Sequence, residues 1–154
     1  MTRVLDCTLR DGGYYVNWDF VPDTVRKYLS ALSTAKIDLL EIGFRYLPGN
    51  KFQGAFAYST DEYLSTLNLP VNIPVAVMIN AAEVIKYQSG EMAAIDYLFD
   101  EKTKSPVDIV RIAVKANDIT CCEGMSAQLS GLGYRVFVNL MQIDAVPLDK
   151  VETI

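Results

Sequence analysis

The chain has 154 residues, of which 51% are hydrophobic and 21% charged, so it is long enough to bury a core and we expect one globular domain. Its net charge of -5 and the absence of a Lys and Arg cluster argue against a nucleic-acid surface. The chain contains no histidine, which excludes Ser–His and Cys–His nucleophiles and histidine zinc sites from these residues.

The N-terminal residues and the cysteines favour a cytoplasmic location. Asp6 occurs before any apolar run develops, so the sequence predicts neither a secretory signal nor a membrane span. Cys121 and Cys122 are adjacent, and a bridge between neighbours requires backbone strain. We therefore expect all of the cysteines to be reduced thiols.

Short apolar strands alternate with helical patterns five times along the chain, which predicts a parallel sheet. The predicted strands span residues 3–9, 39–44, 75–79, 107–114 and 135–140. Several of these strands are apolar on both faces, as is usual for strands that are covered on each side.

Helix-capping residues, prolines and glycines mark the ends of the helices between the predicted strands. Pro22 begins the first predicted helix, and residues 59–62 (Ser-Thr-Asp-Glu) form a capping box before a short one. The loop that joins the second strand to this short helix contains Pro48, Gly49, Asn50 and Gly54, and it is a candidate lid.

Later helices follow the third and fourth strands. Asn80 is a predicted N-cap, and a further helix covers residues 92–99. Asn117 or Asp118 caps the next helix, which ends near a pair of glycines, and Pro147 begins the last one. This last helix has little room to finish, which indicates that the sequence stops within a unit.

Two architectures fit this order of elements. A closed eight-stranded barrel usually needs about 200 residues or more, whereas five β/α units are normal for a flavodoxin-like open sheet. Length alone favours the open sheet.

Polar side chains recur where the predicted strands end. In parallel β/α folds the functional residues gather at this edge, because the loops there converge on one face. Charged groups within strands are also costly to desolvate unless they are paired or used, so we expect these residues to face a common cavity and bind substrate. They are Arg10 and Asp11 after strand one, Glu41 and Arg45 at strand two, Asn80, Arg111 and Lys115 at strands three and four, and Asn139 in strand five.

Each of these residues also has a purely structural interpretation. Arg10 could pair with Asp11 or Glu41, and Asn80 could simply cap a helix. Glu41 and Lys115 could be an acid and a base, or a pair across neighbouring strands.

The segment Asp6-Cys7-Thr8-Leu9-Arg10-Asp11-Gly12 resembles the Asp-x-Thr-Leu-Arg-Asp-Gly signature of the DRE-TIM metallolyases. This superfamily includes 3-hydroxy-3-methylglutaryl-CoA lyase, isopropylmalate and homocitrate synthases, and 4-hydroxy-2-oxovalerate aldolase. Residues 41–44 (Glu-Ile-Gly-Phe) and 108–113 (Asp-Ile-Val-Arg-Ile-Ala) are similar to the same family in the same order, the latter most like the oxovalerate aldolases. The resemblance implies that residues 1–154 are the first five β/α units of a TIM (β/α)8 barrel, a catalytic domain without its C-terminal strands.

The resemblance also implies a chemistry. Asp11 would bind part of a divalent ion, Mn²⁺ or Mg²⁺, since hard oxygen ligands suit these metals. Arg10 would point at the oxygen that gains negative charge when a C–C bond next to the carbonyl of a 2-oxo acid is made or broken.

The sequence departs from the family in two respects. The family completes its metal site with a His-x-His pair, which a chain without histidine lacks, so the site in these residues is incomplete. Tyr14 stands near the position of a histidine base in the aldolases and of a glutamine in other members. Tyr14 could transfer a proton if its pKa, ordinarily near 10, were lowered. Alternatively, it packs with Tyr15 and Trp18 beneath the first helix.

The predicted function is a metal-dependent aldolase or lyase that acts on a 2-oxo acid, with little activity in these residues alone. The alternative is a non-catalytic α/β module derived from that fold, which binds a metabolite or a partner chain. Unpaired sheet edges favour a homo-oligomer, and neither a nucleic acid nor a membrane is an expected partner.

Overall fold

The computed structural model describes residues 2–151 of the protein. Its strands are β1 (Leu5–Asp6), β2 (Leu39–Phe44), β3 (Val75–Asn80), β4 (Ile109–Lys115) and β5 (Arg135–Met141). Its helices are α1 (Thr8–Val16), α2 (Pro22–Leu32), α3 (Ala55–Tyr58), α4 (Asp61–Ser65), α5 (Ala81–Ile85), α6 (Glu91–Leu98), α7 (Cys121–Gly131) and α8 (Leu148–Val151). Short 3-10 turns cover residues 102–104, 116–118 and 143–145.

The five strands form one parallel sheet in the order β1-β2-β3-β4-β5. A doubly wound sheet reverses its strand order at a switch point, whereas a barrel adds each strand beside the previous one. The sheet therefore curls into part of a (β/α) barrel. The partial-barrel prediction is confirmed, and the flavodoxin-like alternative is wrong.

The main core lies between the sheet and its covering helices. Ile42, Val77 and Ile112 from the central strands have no exposed surface, and they share one buried cluster with Val25 and Leu129 from α2 and α7. The β-branched runs that predicted the strands supply most of these side chains. We call the opposite side of the sheet, which carries Glu41, Arg111 and Asn139, the inner face.

The first strand is shorter than predicted, because α1 begins at Thr8. The Asp6 carboxylate accepts a hydrogen bond from the Thr8 amide at 3.0 Å, which turns the chain out of the strand. The ring of Trp18 then packs where a Cβ of Gly13 would stand, 1.9 Å away, so α1 needs glycine at this position. As a result Arg10 lies in the first turn of a helix rather than in a loop.

The predicted caps have mixed outcomes. The Asn80 side chain accepts from the Ala82 amide at 3.1 Å, so its predicted role as an N-cap is confirmed. A short helix does begin within residues 59–62, but the capping box itself is wrong: the N-cap is Thr60, whose hydroxyl accepts from the Tyr63 amide at 3.2 Å, while Ser59 ends α3 and donates its hydroxyl to the Phe56 carbonyl oxygen. The prediction that Asn117 or Asp118 caps α7 is wrong. Both residues lie in a 3-10 turn, and α7 begins after Thr120.

Gly43 lets the α3 segment contact β2 directly. A Cβ at this position would lie 2.2 Å from the Phe56 carbonyl oxygen and 2.4 Å from the Ser59 hydroxyl, and the first of these is backbone that cannot move cheaply. The glycine of the Glu-Ile-Gly-Phe stretch is therefore required by packing.

We expect Gly43→Ala to lower the free energy of unfolding by about 2 kcal/mol or more, because overpacking forces the backbone of the α3 segment away from β2. Gly49→Ala is the matched control, since a Cβ there meets nothing within 4 Å. Urea unfolding followed by circular dichroism compares the two variants. Equal midpoints for both would contradict the packing role of Gly43.

Candidate functional site

Glu41 lies at the centre of a charged cluster on the inner face. Its side chain is fully buried. One carboxylate oxygen accepts from Arg10 Nε at 2.6 Å, and the other accepts from Arg111 Nη1 at 2.7 Å. Arg111 also donates from Nη2 to the Asn139 side-chain oxygen at 3.0 Å. We call these four residues together with Asp11 the arginine cluster; it joins α1 to β2, β4 and β5.

Asp11 lies at the open side of the arginine cluster. One of its carboxylate oxygens pairs with Arg10, and the other accepts from the Cys7 thiol at 3.1 Å. Burial, followed by the contact with Asp11, raises the pKa of Cys7, so the thiol keeps its proton and acts as a donor. Just over half of the Asp11 side chain, 54%, remains exposed.

Two aromatic side chains fix the position of Arg10. The Trp18 indole N–H donates to the Arg10 carbonyl oxygen at 2.9 Å. The guanidinium lies over the Phe44 ring, 5.5 Å from its centroid, which is a cation–π contact. Burial alone would lower the pKa of Arg10, but the hydrogen bond and charge of Glu41 and the charge of Asp11 raise it. Arg10 is therefore a fixed positive charge.

Both guanidiniums of the arginine cluster have spare donors. Within residues 2–151, Arg10 Nη2 and Arg111 Nε donate to no protein acceptor, although the other nitrogens of the two groups are used. Arg10 and Arg111 keep 15% and 19% of their side-chain surface exposed. The cluster can therefore bind an anion with oriented N–H groups.

The described residues make only part of a metal site. No group of three or more His, Cys, Asp or Glu side chains able to hold a metal occurs within the described part of the chain. Asp11 offers one exposed carboxylate, and the neighbouring thiol of Cys7 is a soft group that Mg²⁺ and Mn²⁺ do not prefer. The two residues therefore supply one suitable ligand for a hard divalent ion, the Asp11 carboxylate.

Arg45 does not join the arginine cluster, contrary to the expectation that it faces the same cavity. It is 3% exposed and donates from Nη2 to Asp61 at 2.6 Å and to the Ser59 carbonyl oxygen at 2.8 Å. Its guanidinium also lies 4.7 Å from the centroid of the Phe99 ring. Arg45 therefore belongs to the layer between the sheet and the outer helices.

A register shift in β2 explains this placement. Glu41 pairs with Ala76 and Phe44 pairs with Met78, so one extra residue lies between two positions that face the same way. Strict alternation would place Arg45 on the face of Glu41. The bulge instead turns Phe44 to the inner face and Arg45 to the outer one.

Among the described residues, the other predicted site residues make no hydrogen bond to the arginine cluster. Asn80 uses its side-chain oxygen as the cap of α5. Lys115 is exposed at the end of β4 and lines a small cavity of about 200 Å³ with Met141. Tyr14 is 61% exposed, and its ring packs edge-on against Trp18 at a centroid distance of 4.8 Å.

Glu41 was predicted to bind substrate directly, but it has no exposed surface and both of its oxygens are engaged. Its observed contacts orient the two arginines. Two contributors were missed in the sequence: Cys7, whose thiol donates to Asp11, and Phe44, whose ring lies against the Arg10 guanidinium. Phe44 is the last residue of the Glu-Ile-Gly-Phe stretch, and Trp18 is the single tryptophan of the chain, but only the three-dimensional contacts reveal that both pack beside Arg10.

A curled parallel sheet with paired arginines on its inner face has the architecture of part of a (β/α) barrel. A search of solved structures supports this class. The N-terminal domain of a candidate aldolase from Bacteroides vulgatus superimposes with a TM-score of 0.76 at 30% sequence identity, over 97% of this chain and 48% of that one.

The chain is also similar to curated aldolases and a decarboxylase. Oxaloacetate decarboxylase from Mycobacterium tuberculosis is 27% identical over 90% of this chain and 39% of its own length. A 4-hydroxy-2-oxovalerate aldolase from Carboxydothermus hydrogenoformans is 26% identical over 97% of this chain and 42% of its own length. A second such aldolase, from Pelotomaculum thermopropionicum, is 38% identical over 61 residues.

The predicted resemblance to the N-terminal part of the DRE-TIM metallolyases is thereby confirmed. The chain spans about two fifths of the length of the curated relatives that it matches most extensively. No protein-family model matches the chain. Among the described residues, the helices are too short or too polar to cross a membrane.

We expect Glu41→Gln to lower the free energy of unfolding by about 3 kcal/mol, since two partly buried guanidiniums lose the charge that compensates them. Glu123→Gln is the matched control, because Glu123 lies exposed on α7 and makes no ion pair among residues 2–151. Thermal and urea unfolding measure the difference. A loss no larger than that of the control would show that the arginines do not depend on Glu41.

Proposed function

We propose that these residues are the first five β/α units of a lyase that makes or breaks the C–C bond next to the carbonyl of a 2-oxo acid. The arginine cluster carries this proposal, because it presents spare guanidinium donors beside an exposed carboxylate at the carboxyl end of the sheet. Relatives named as an oxaloacetate decarboxylase and 4-hydroxy-2-oxovalerate aldolases support the substrate class.

In the proposed site, Arg10 stabilises the oxygen that becomes negative in the enolate. Its charge is fixed by Glu41 and by the ring of Phe44, so it need not reorganise as the charge develops. Arg111 on β4 and Asn139 on β5 lie further along the inner face, two and three strands beyond Glu41, and would bind the substrate carboxylate. Lys115 and Asn80 are proposed at the rim, and Arg45 has no place in the site.

Asp11 is proposed as one ligand of a divalent ion, Mn²⁺ or Mg²⁺, whose other ligands come from the substrate and from outside the described residues. When bound, such an ion would polarise the 2-oxo carbonyl as a Lewis acid. Asp11 is suited to this role because more than half of its side chain is exposed beside Arg10.

Tyr14 is proposed to transfer the proton. In the cleavage of a 4-hydroxy-2-oxo acid, Tyr14 in its phenolate form would take the proton of the C4 hydroxyl and become a neutral phenol. As the O–H electrons form the aldehyde carbonyl, the C3–C4 bond would break and its electron pair would pass into the enolate held by Arg10. The Tyr14 ring lies beside the Phe44 ring, with a centroid distance of 6.0 Å, and the Arg10 guanidinium lies over the same ring. Tyr14 is therefore on the same side of the site as Arg10.

A non-catalytic binding module is the second candidate. It is favoured by the incomplete metal site among the described residues and by the lack of histidine in the chain. The lyase and the binding module would both bind an anion, but only the lyase would convert a substrate. We expect this chain alone to turn over 4-hydroxy-2-oxo acids very slowly, and only the lyase should gain activity when strands with metal-binding histidines complete the barrel.

The anion site can be tested with oxalate, a planar mimic of a 2-oxo acid enolate. We expect oxalate to bind the chain and Arg10→Lys to weaken binding about tenfold, since a lysine cannot reproduce the planar set of donors. Arg26→Lys, which changes an exposed arginine paired with Asp23 on α2, should leave binding unchanged. Isothermal titration calorimetry measures both. Equal affinities for the two variants would reject Arg10 as the anion-binding group.

The metal ligand can be tested by titration with Mn²⁺, followed by electron paramagnetic resonance. We expect Asp11→Asn to weaken binding in the presence of oxalate by about tenfold, because a neutral amide is a poorer ligand than a carboxylate. Asp19→Asn removes the same charge from a nearby exposed position and should have little effect. An unchanged affinity in Asp11→Asn would remove Asp11 from the proposed site.

A further inference from the structure

The ion pair between Arg111 and Glu41 crosses an intervening strand. Glu41 is in β2 and Arg111 is in β4, and β3 lies between them in the sheet. Neighbouring strands are roughly 5 Å apart, so the backbones of β2 and β4 are separated by about 10 Å. Arg111 Nη1 nevertheless donates to a Glu41 carboxylate oxygen at 2.7 Å. The two side chains therefore meet over the inner face of β3.

The register of the sheet places Ala76 beneath this ion pair. Ala76 pairs with Glu41 on one side and with Ile109 on the other, and residues that pair across parallel strands point to the same face. Ala76 has no exposed surface, yet it lies outside the buried cluster that the strands share with the outer helices. The charged side chains of the inner face account for this burial.

A small side chain is unusual at this position of a barrel strand. Inward-facing positions of (β/α) barrels are mostly filled by Val, Ile and Leu, and Ile109 follows that rule in the layer of Ala76. Met78, the next inner-face residue of β3, pairs with Arg111 and has an unbranched side chain that can bend aside. The methyl group of Ala76 thus leaves the space that a carboxylate and a guanidinium occupy.

We propose that Ala76 is a positioning residue for the anion site, because its small side chain lets Arg111 cross β3 and share the Glu41 carboxylate with Arg10. The inference rests on the proposed function of the arginine cluster. Arg10 Nε donates to the other oxygen of the same carboxylate at 2.6 Å, so the crossing brings the two guanidiniums together. Their spare donors can then bind one anion between them.

Isothermal titration calorimetry with oxalate tests this role. We expect Ala76→Leu to weaken oxalate binding about tenfold, since the larger side chain displaces Arg111 and one charge-assisted hydrogen bond to the anion is lost. Ala76→Gly keeps the space open and should bind oxalate as the wild type does, even though glycine lowers the stability of a strand. An affinity in Ala76→Leu equal to that of the wild type would overturn the proposal.

The matched control is Ala94→Leu. Ala94 also has no exposed surface, but it lies on α6 and belongs to the main buried cluster. The same enlargement there should lower stability and leave the affinity for oxalate unchanged. A loss of affinity in Ala94→Leu as large as that in Ala76→Leu would assign the effect to overpacking in general and overturn the proposal.

A double variant shows whether Ala76 acts through Arg111. Arg111→Met removes the guanidinium, so adding Ala76→Leu to Arg111→Met should weaken oxalate binding no further. A full additional loss in the double variant would overturn the proposal. If Ala76→Leu fails to fold, Ala76→Val replaces it in both comparisons, because a β-branched side chain suits a strand.

The ion pair can also be followed without a ligand, by ¹⁵N nuclear magnetic resonance of the guanidinium groups. Arg111 donates from Nη1 to Glu41 and from Nη2 to Asn139, which hinders rotation of its guanidinium. We expect separate Nη signals for Arg111, assigned by their loss in Arg111→Met, and a single averaged signal in Ala76→Leu.

The two measurements separate this inference from the proposed function. Averaged signals in Ala76→Leu, together with a wild type that does not bind oxalate, would retain the role of Ala76 and reject the lyase site. Separate signals that persist in Ala76→Leu, together with oxalate binding by the wild type, would reject the role of Ala76 and retain the site.

Discussion

The burial of Glu41 between two guanidiniums is the constraint on which the inner face depends. A carboxylate with no exposed surface is tolerated only when both of its oxygens are paired, and here Arg10 and Arg111 supply those pairs. These residues come from α1, β2 and β4. A shift of any of these elements would leave a buried charge without compensation. The ion pairs therefore hold Arg10, the candidate catalytic residue, in position, and they also favour the observed curl of the sheet.

The number of spare donors separates a structural arginine from one that can bind a ligand. Arg45 uses Nε, Nη1 and Nη2 on Ser59, Asp61 and the Leu98 carbonyl oxygen, and its side chain is almost fully buried. Arg10 and Arg111 each have an unused nitrogen and some exposed surface. All three are paired arginines in or beside the strands, but only Arg10 and Arg111 have donors to offer to an anion.

The sequence predicted the strands and the arginine cluster more accurately than the details between them. The strands follow from apolar runs, and Arg10, Glu41 and Arg111 stood out as charges in apolar surroundings. The helix that begins at Thr8 packs its Gly13 against the ring of Trp18, a contact that the apolar pattern of these residues did not indicate. The outward placement of Arg45 depends on a one-residue bulge, and this shifts every later side chain of β2 to the other face.

The described residues contain some, but not all, of the groups that the proposed lyase chemistry needs. Stabilisation of a negative oxygen needs fixed positive charge and oriented donors, and the arginine cluster already contains both. Metal ligation and strong base catalysis need groups that are scarce here, since Asp11 stands without further ligands among residues 2–151 and histidine is absent from the chain. Anion binding is therefore the property that these strands can express by themselves. A proton-transfer role for Tyr14 would have to come from the environment that its neighbours give to a phenol, rather than from an intrinsically suitable base.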